Sequence, residues 1–171
     1  MSFVKSLEIG KRAEKFAENY FIKNNYNYID VRNNKEYQKI DVDYIVNNEK
    51  WEVKKNYQNA MKGHKGWFFW IEISIDDKQG WWQFNDTDYF FFVGDNKGII
   101  LKNDNKFKSI INEMIENGNH SENGINRYDY IKDFRYNGFV TAKCMRVYIE
   151  QIENDIEIIN VLKRKNESKN M

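Results

Sequence analysis

The side chains in this chain best suited to breaking bonds are three acids and a lysine: Glu14, Asp43, Glu52 and Lys54. Glu52 and Lys54 are two positions apart, so on a β-strand both leave the same face, about 7 Å from each other. Asp43 precedes them across a short turn, Asn47-Asn48-Glu49, and a hairpin that tight lets it face the same point. Such a set suits hydrolysis of a phosphodiester. Carboxylates alone repel a phosphate. Holding Mg2+ or Mn2+, hard cations that take oxygen ligands, they neutralise it instead. A lysine beside them orients the attacking water and offsets the charge that develops. Asp43 and Glu52 are the expected metal ligands. Asp41 is a secondary candidate, but counting back from the turn puts it level with Lys54 or Lys55, where a carboxylate neutralises a lysine more readily than it holds a metal.

Glu-x-Lys is a cheap pattern, and Glu167-Ser168-Lys169 repeats it in the charged C-terminal stretch. Context separates the two copies. The first lies among strands rich in large apolar residues, and charges on inner strands need a reason to be there. Bland readings stand beside the functional ones. Glu14 is equally an ordinary helix-surface acid near Lys11, and a charged outer face on a hairpin is usually just solvated. Glu72, on a strand otherwise made of Phe, Trp and Ile, is a second site candidate or an edge-facing acid. Trp81 and Trp82 either stack on unpaired bases or, as tryptophans between strands more often do, fill the core.

The positioning elements follow from periodicity. Ala13, Phe16, Ala17, Tyr20 and Phe21 recur at three-and-four spacing, which predicts a helix over 6–24 with Ser6 as N-cap and Asn24-Asn25 as its end. Strands are expected at 26–32, 39–47 and 51–55. In the second of these Asp41 and Asp43 share a face, and the last two form the hairpin that carries the acids. Aromatic strands at 67–75 and 89–93 flank Gly80-Trp81-Trp82. A short strand at 99–101, a helix over 104–117 closed by Gly118, a polar loop at 118–127, and mixed short elements beyond Gly138 complete the reading. Residues 56–65 are a short helix or a loop. One domain spans 1–162, with a charged, disordered tail at 163–171, and no repeat or composition shift marks a second domain.

Composition narrows the classes. Of 171 residues 41% are hydrophobic and 16% aromatic, ample for a core. A single cysteine, Cys144, excludes an internal disulfide framework, and with only two histidines, His64 and His120, a Cys/His zinc site is not expected. No proline occurs, and the Asn, Lys and Ile bias fits an AT-rich coding genome. No phosphate-binding GxxxxGK[ST] loop and no G-x-S-x-G elbow is present. The first residues lack a signal-peptide core and the longest apolar run, Trp67 to Ile71, is too short to span a bilayer, so a cytoplasmic protein with no membrane partner is expected. Net charge is only +1, which argues against a sequence-independent coat on DNA. Local charge is another matter: no acid falls between Val53 and Ile71, while Lys54, Lys55, Lys62, His64 and Lys65 do. Lys55, Lys62 and Lys65 are therefore the expected phosphate contacts, the alternative being a solvated lysine-rich loop.

Taken in order, Gly10-Lys11-Arg12-Ala13-Glu14 on the opening helix, Lys39-Ile40-Asp41-Val42-Asp43-Tyr44-Ile45-Val46, and Trp51-Glu52-Val53-Lys54 resemble the PD-(D/E)XK nuclease superfamily. The resemblance is strongest to archaeal-type Holliday junction resolvases and related phage nucleases, and covers roughly residues 8–93. It implies an α/β fold with a restriction-endonuclease-like core, a central mixed β-sheet flanked by helices. It also implies Mg2+ or Mn2+ as cofactor, DNA as partner, a homodimer and a phage-encoded origin. By position Glu14 is the helix acid, Asp43 and Glu52 the metal ligands and Lys54 the catalytic lysine. Val42 stands where the family's proline would precede the aspartate. The function so implied is a DNA endonuclease, either general or selective for branched DNA. The alternatives are a restriction-type enzyme with sequence recognition in its C-terminal third, or a non-cleaving nucleic-acid-binding or host-interaction protein that keeps the fold.

Overall fold

The computed structural model describes residues 3–55, 58–59, 66–76, 78–95, 97–117, 130–136 and 139–162. The chain opens with helix α1 (Phe3–Lys23), which begins upstream of Ser6. Its end is marked by Asn25, whose φ of 55° is the left-handed conformation that commonly stops a helix. Strand β1 (Tyr28–Asp30), the short helix α2 (Lys35–Lys39) and strand β2 (Tyr44–Val46) follow. Asn47 and Asn48, both at positive φ (50° and 71°), form a two-residue turn of the kind that matches strand twist, and the chain returns as β3 (Glu49–Lys54).

The expected strand over 39–47 is a third of its length here. Asn34 caps α2 by accepting the Glu36 N–H at 2.9 Å, and this helix takes up Lys35–Lys39. Asp41 then sits at a φ of 55°, outside any strand, so Asp41 and Asp43 do not share a strand face.

After β3 come β4 (Gln58–Asn59), β5 (Trp67–Ile75), β6 (Lys78–Gln79), helix α3 (Trp81–Phe84), β7 (Tyr89–Val93), β8 (Lys97–Lys102) and helix α4 (Asn105–Asn117). The chain closes with β9 (Tyr130–Tyr136), β10 (Phe139–Tyr148), helix α5 (Ile149–Ile152) and β11 (Ile158–Leu162). A six-stranded mixed sheet has the order β1-β2-β3-β7-β8-β11, antiparallel except where β3 and β7 run parallel. A second, antiparallel sheet has the order β4-β5-β10-β9, with β6 on β5.

The protein is thus α/β with a mixed sheet and a few helices. It differs from the expectation of one central sheet in that the aromatic strand at 67–75 does not join the hairpin. A parallel neighbour for β3 requires a crossover, and here the crossover itself folds into part of the second sheet.

Strand alternation assigns the two faces of the mixed sheet. Trp51, Val53, Phe91 and Val93 pack with Ala13, Ala17 and Phe21 of α1. Phe90 and Phe92 face the other way and join Phe69, Ile71, Met145 and Val147 of the second sheet and Phe107 and Ile111 of α4. Phe69 and Phe92 stack between the sheets at 4.2 Å. The polar alternates of β3, Glu52 and Lys54, pair with Phe90 and Phe92 in register, so they belong to this inner layer.

Candidate active site

Glu52 is 3% exposed, an unusual place for a carboxylate. Its Oε1 lies 2.6 Å from Lys54 Nζ, and its Oε2 is buried with no hydrogen-bond partner among the described residues. Lys54 Nζ is also 2.6 Å from Asp41 Oδ2 and sits 4.9 Å from the centre of the Trp81 ring. Asp43 is stitched into the sheet on both sides, its N–H donating to the Trp51 carbonyl and its carbonyl accepting from Val31. Its side-chain Oδ2 accepts the Val53 N–H at 3.0 Å, level with Glu52. The hairpin therefore brings Asp43, Glu52 and Lys54 together, with Asp41 on the lysine. Asp41 keeps its left-handed backbone because its carbonyl accepts from Asn85 Nδ2 and Thr87 Oγ1, both at 3.3 Å.

Burial, and behind it the charges of Asp43 and Asp41, push Glu52 well above the usual carboxylate range although Lys54 pulls the other way. Asp43 is pushed up to about 6, chiefly by burial, against the Val53 N–H and Lys54. The charges of Asp41 and Glu14 add to that rise. For Lys54 burial opposes the charged form, but Glu52 and Asp41 outweigh it, and its pKa lies above that of a free lysine. Two carboxylates thus share one ammonium with Asp43 close by, and one buried Glu52 oxygen has no donor among the described residues. Desolvated oxygens with excess negative charge are a donor set that a hard divalent cation satisfies, and Asp43 and Glu52 are the residues that would hold it. Among the described residues no three His, Cys, Asp or Glu side chains already stand as a ready ligand set.

Glu14 occupies a different environment from that of a free helix acid. It is ion-paired with Arg32, whose guanidinium also reaches Glu18 at 3.1 Å and Asp30, and stacks 5.0 Å from the Tyr44 ring. Tyr44 in turn donates its hydroxyl to Glu18 at 3.1 Å. Glu14 acts on Asp43 through charge, from the α1 side of the sheet. Arg32 was not singled out from sequence. The available signal was its type: where lysine supplies most cations, an arginine marks a place needing several planar hydrogen bonds at once.

The remaining candidates scatter. Lys55 pairs with the exposed Asp95 at 2.7 Å instead of standing free. Lys62 and Lys65, like His64, lie outside the described residues. Glu72 accepts the Trp81 N–H at 3.4 Å, at the start of α3. Trp81 and Trp82 are 7% and 9% exposed within the core between the sheets, too enclosed to stack on bases. Cys144 pairs in register with Glu72, and burial followed by the Glu72 charge pushes its thiol up to about 11, so it is no nucleophile near neutral pH.

Compared with family models, with curated proteins and with solved structures, the chain shows no match. No helix among the described residues is long and apolar enough to cross a membrane.

Proposed function

We propose that this chain is a metal-dependent DNA endonuclease of the PD-(D/E)XK type, built on a restriction-endonuclease-like core. The observation that carries the reading is Glu52. A carboxylate 3% exposed, with one oxygen on Lys54 and the other without a partner among the described residues, costs stability and calls for a cation as its missing partner. Mg2+ or Mn2+, when bound, would neutralise phosphate charge and act as a Lewis acid on the scissile phosphodiester. Asp43 and Glu52 offer the oxygens. Lys54 is placed to orient the attacking water and to balance charge as the phosphorus–oxygen ester bond breaks. Asp41 shares the lysine's charge, and Glu14, held by Arg32, adds negative potential behind Asp43. DNA is the polyanion whose phosphodiesters such a site would cut, and by the same analogy the active form is a homodimer.

The test is cleavage of plasmid, single-stranded and branched DNA with Mg2+, with Mn2+ and with EDTA. Cleavage that requires the metal and falls by several orders of magnitude in Asp43→Asn, Glu52→Gln and Lys54→Ala, each still folded, supports the reading. Cutting by Glu52→Gln at the parent rate sinks it. DNA binding with no cleavage in either metal would favour a non-cutting protein on the same fold.

A further inference from the structure

The sequence offers Trp81 only as core filler or a base-stacking platform, yet its ring lies against the ammonium of Lys54. We infer that Trp81 is the positioning residue for Lys54, and that α3 exists at this point of the chain to deliver it. The inference rests on the nuclease reading for its catalytic consequence, but its geometric part stands apart from it.

Lys54 Nζ has three N–H bonds, and two partners at 2.6 Å, Glu52 and Asp41, take two of them. The Trp81 ring, 4.9 Å from Nζ to centroid, covers a further side. A ring face at that distance stabilises a cation through its quadrupole without adding net negative charge. The distinction matters in a site that must admit a phosphate. A third carboxylate in contact with the ammonium would fix it equally well but would repel the substrate, and an aliphatic side chain would leave that side of the ammonium desolvated and unsteadied.

The delivery of Trp81 is specific. The chain reverses after β6, and α3 is pressed onto β5 so closely that a Cβ on Gly80 would stand 2.3 Å from the Glu72 carbonyl oxygen, a contact only glycine avoids. Glu72 then accepts the Trp81 N–H at 3.4 Å. The indole packs on Phe90 at 5.3 Å and near Phe92 at 6.5 Å, the residues in register with Glu52 and Lys54. Its neighbour Trp82 shares the same core but spends its indole N–H on Asn112 of α4 at 3.1 Å and packs edge-on against Phe107.

The experiment uses the full chain labelled with 13C-lysine, with the Lys54 resonance assigned by Lys54→Arg. The ring current of Trp81 should move the Lys54 ε-methylene signal upfield of the other lysines. The shift should vanish in Trp81→Leu, persist in large part in Trp81→Phe and remain in Trp82→Leu, which loses similar core volume without touching the lysine. Gly80→Ala, which forces α3 off β5, should lose it as well, giving a second route if Trp81→Leu does not fold. In the cleavage assay kcat should fall about thirtyfold in Trp81→Leu, with KM held within about twofold and most of the loss recovered by phenylalanine. An unshifted Lys54 signal in the parent chain overturns the inference, as does a loss of kcat in Trp82→Leu equal to that in Trp81→Leu. If the parent chain cuts no DNA in Mg2+ or Mn2+, the nuclease reading falls, while the ring-current comparison still decides whether Trp81 holds Lys54.

Discussion

Replacing Asp43 by asparagine should make the metal-free protein more stable while abolishing the proposed DNA cleavage, and the size of that gain follows from the site. Asparagine keeps an oxygen in place to accept the Val53 N–H, so the hydrogen bond at 3.0 Å survives and only the charge is lost. In the folded chain burial pushes the carboxyl up to about 6 from its ordinary 3.8, so folding binds the proton more tightly across that interval. No penalty exists below the unfolded value, where the acid is neutral in both states. The penalty grows as pH rises through 4 to 6 and is complete above 7. Two units correspond to about 3 kcal/mol, reduced to about 1–2 kcal/mol because the side chain retains some solvent contact. For a chain of this size that is roughly 2–8 °C in Tm. Thermal melts of both proteins in EDTA, from pH 4 to pH 8.5, read it directly. The asparagine variant should melt with the parent at the acid end and above it at the alkaline end. A difference that does not change with pH, or a variant less stable at pH 8, would refute the account of Asp43 as a desolvated, charge-crowded acid. Adding Mg2+ at pH 8 should close the gap from the parent's side, because only the parent gains a ligand for its excess charge.

Other outcomes follow from the same contacts. Lys54→Met strands Glu52, whose side chain is 4% exposed, and should cost about 3 kcal/mol at pH 8. The loss should shrink on acidification, because burial holds the Glu52 carboxyl above the usual range and a protonated carboxyl needs no cation, and urea unfolding across a pH series checks this. Arg32→Gln frees Glu14, Glu18 and Asp30 from their common partner and should cost about 1–2 kcal/mol in urea unfolding at neutral pH, a cost that shrinks on acidification as Asp30, held below the usual carboxylate range by Arg32, takes up its proton. In metal titration by calorimetry Asp43→Asn should lose binding and Asp41→Asn should keep it, since Asp41 is spent on Lys54; the reverse pattern exchanges their roles. Neutralising Lys62 and Lys65 should flatten the salt dependence of DNA binding by about one unit of slope for each lost contact. The effect of Lys55 should be smaller because Asp95 already holds it.

Much of the site was legible along the chain because its logic is local. A two-residue spacing on a strand puts Glu52 and Lys54 on one face whatever the fold. Two asparagines that tolerate positive φ close a tight hairpin at Asn47-Asn48, and that turn alone sets Asp43 level with Glu52. The apolar stripe of α1, the aromatic strands and α4 were legible for the same reason, since periodicity is a property of neighbours in sequence. The depth at which the acids sit was not. Whether the Glu52 face of the hairpin meets water or a second sheet depends on where residues 67–75 and 139–148 pack, and no local pattern encodes that pairing. Asp41 left its expected strand because Asn34 caps a helix just upstream and Asn85 and Thr87, some 45 residues on, hold its carbonyl. Arg32 reached Glu14, and Trp81 reached Lys54, across 18 and 27 residues of chain. The sequence by itself determined which groups could carry chemistry and that Glu52 and Lys54 leave one strand face together. Tertiary packing decided how dry they are, and in a dry site the same four side chains hold their charges at a cost that they do not meet in water.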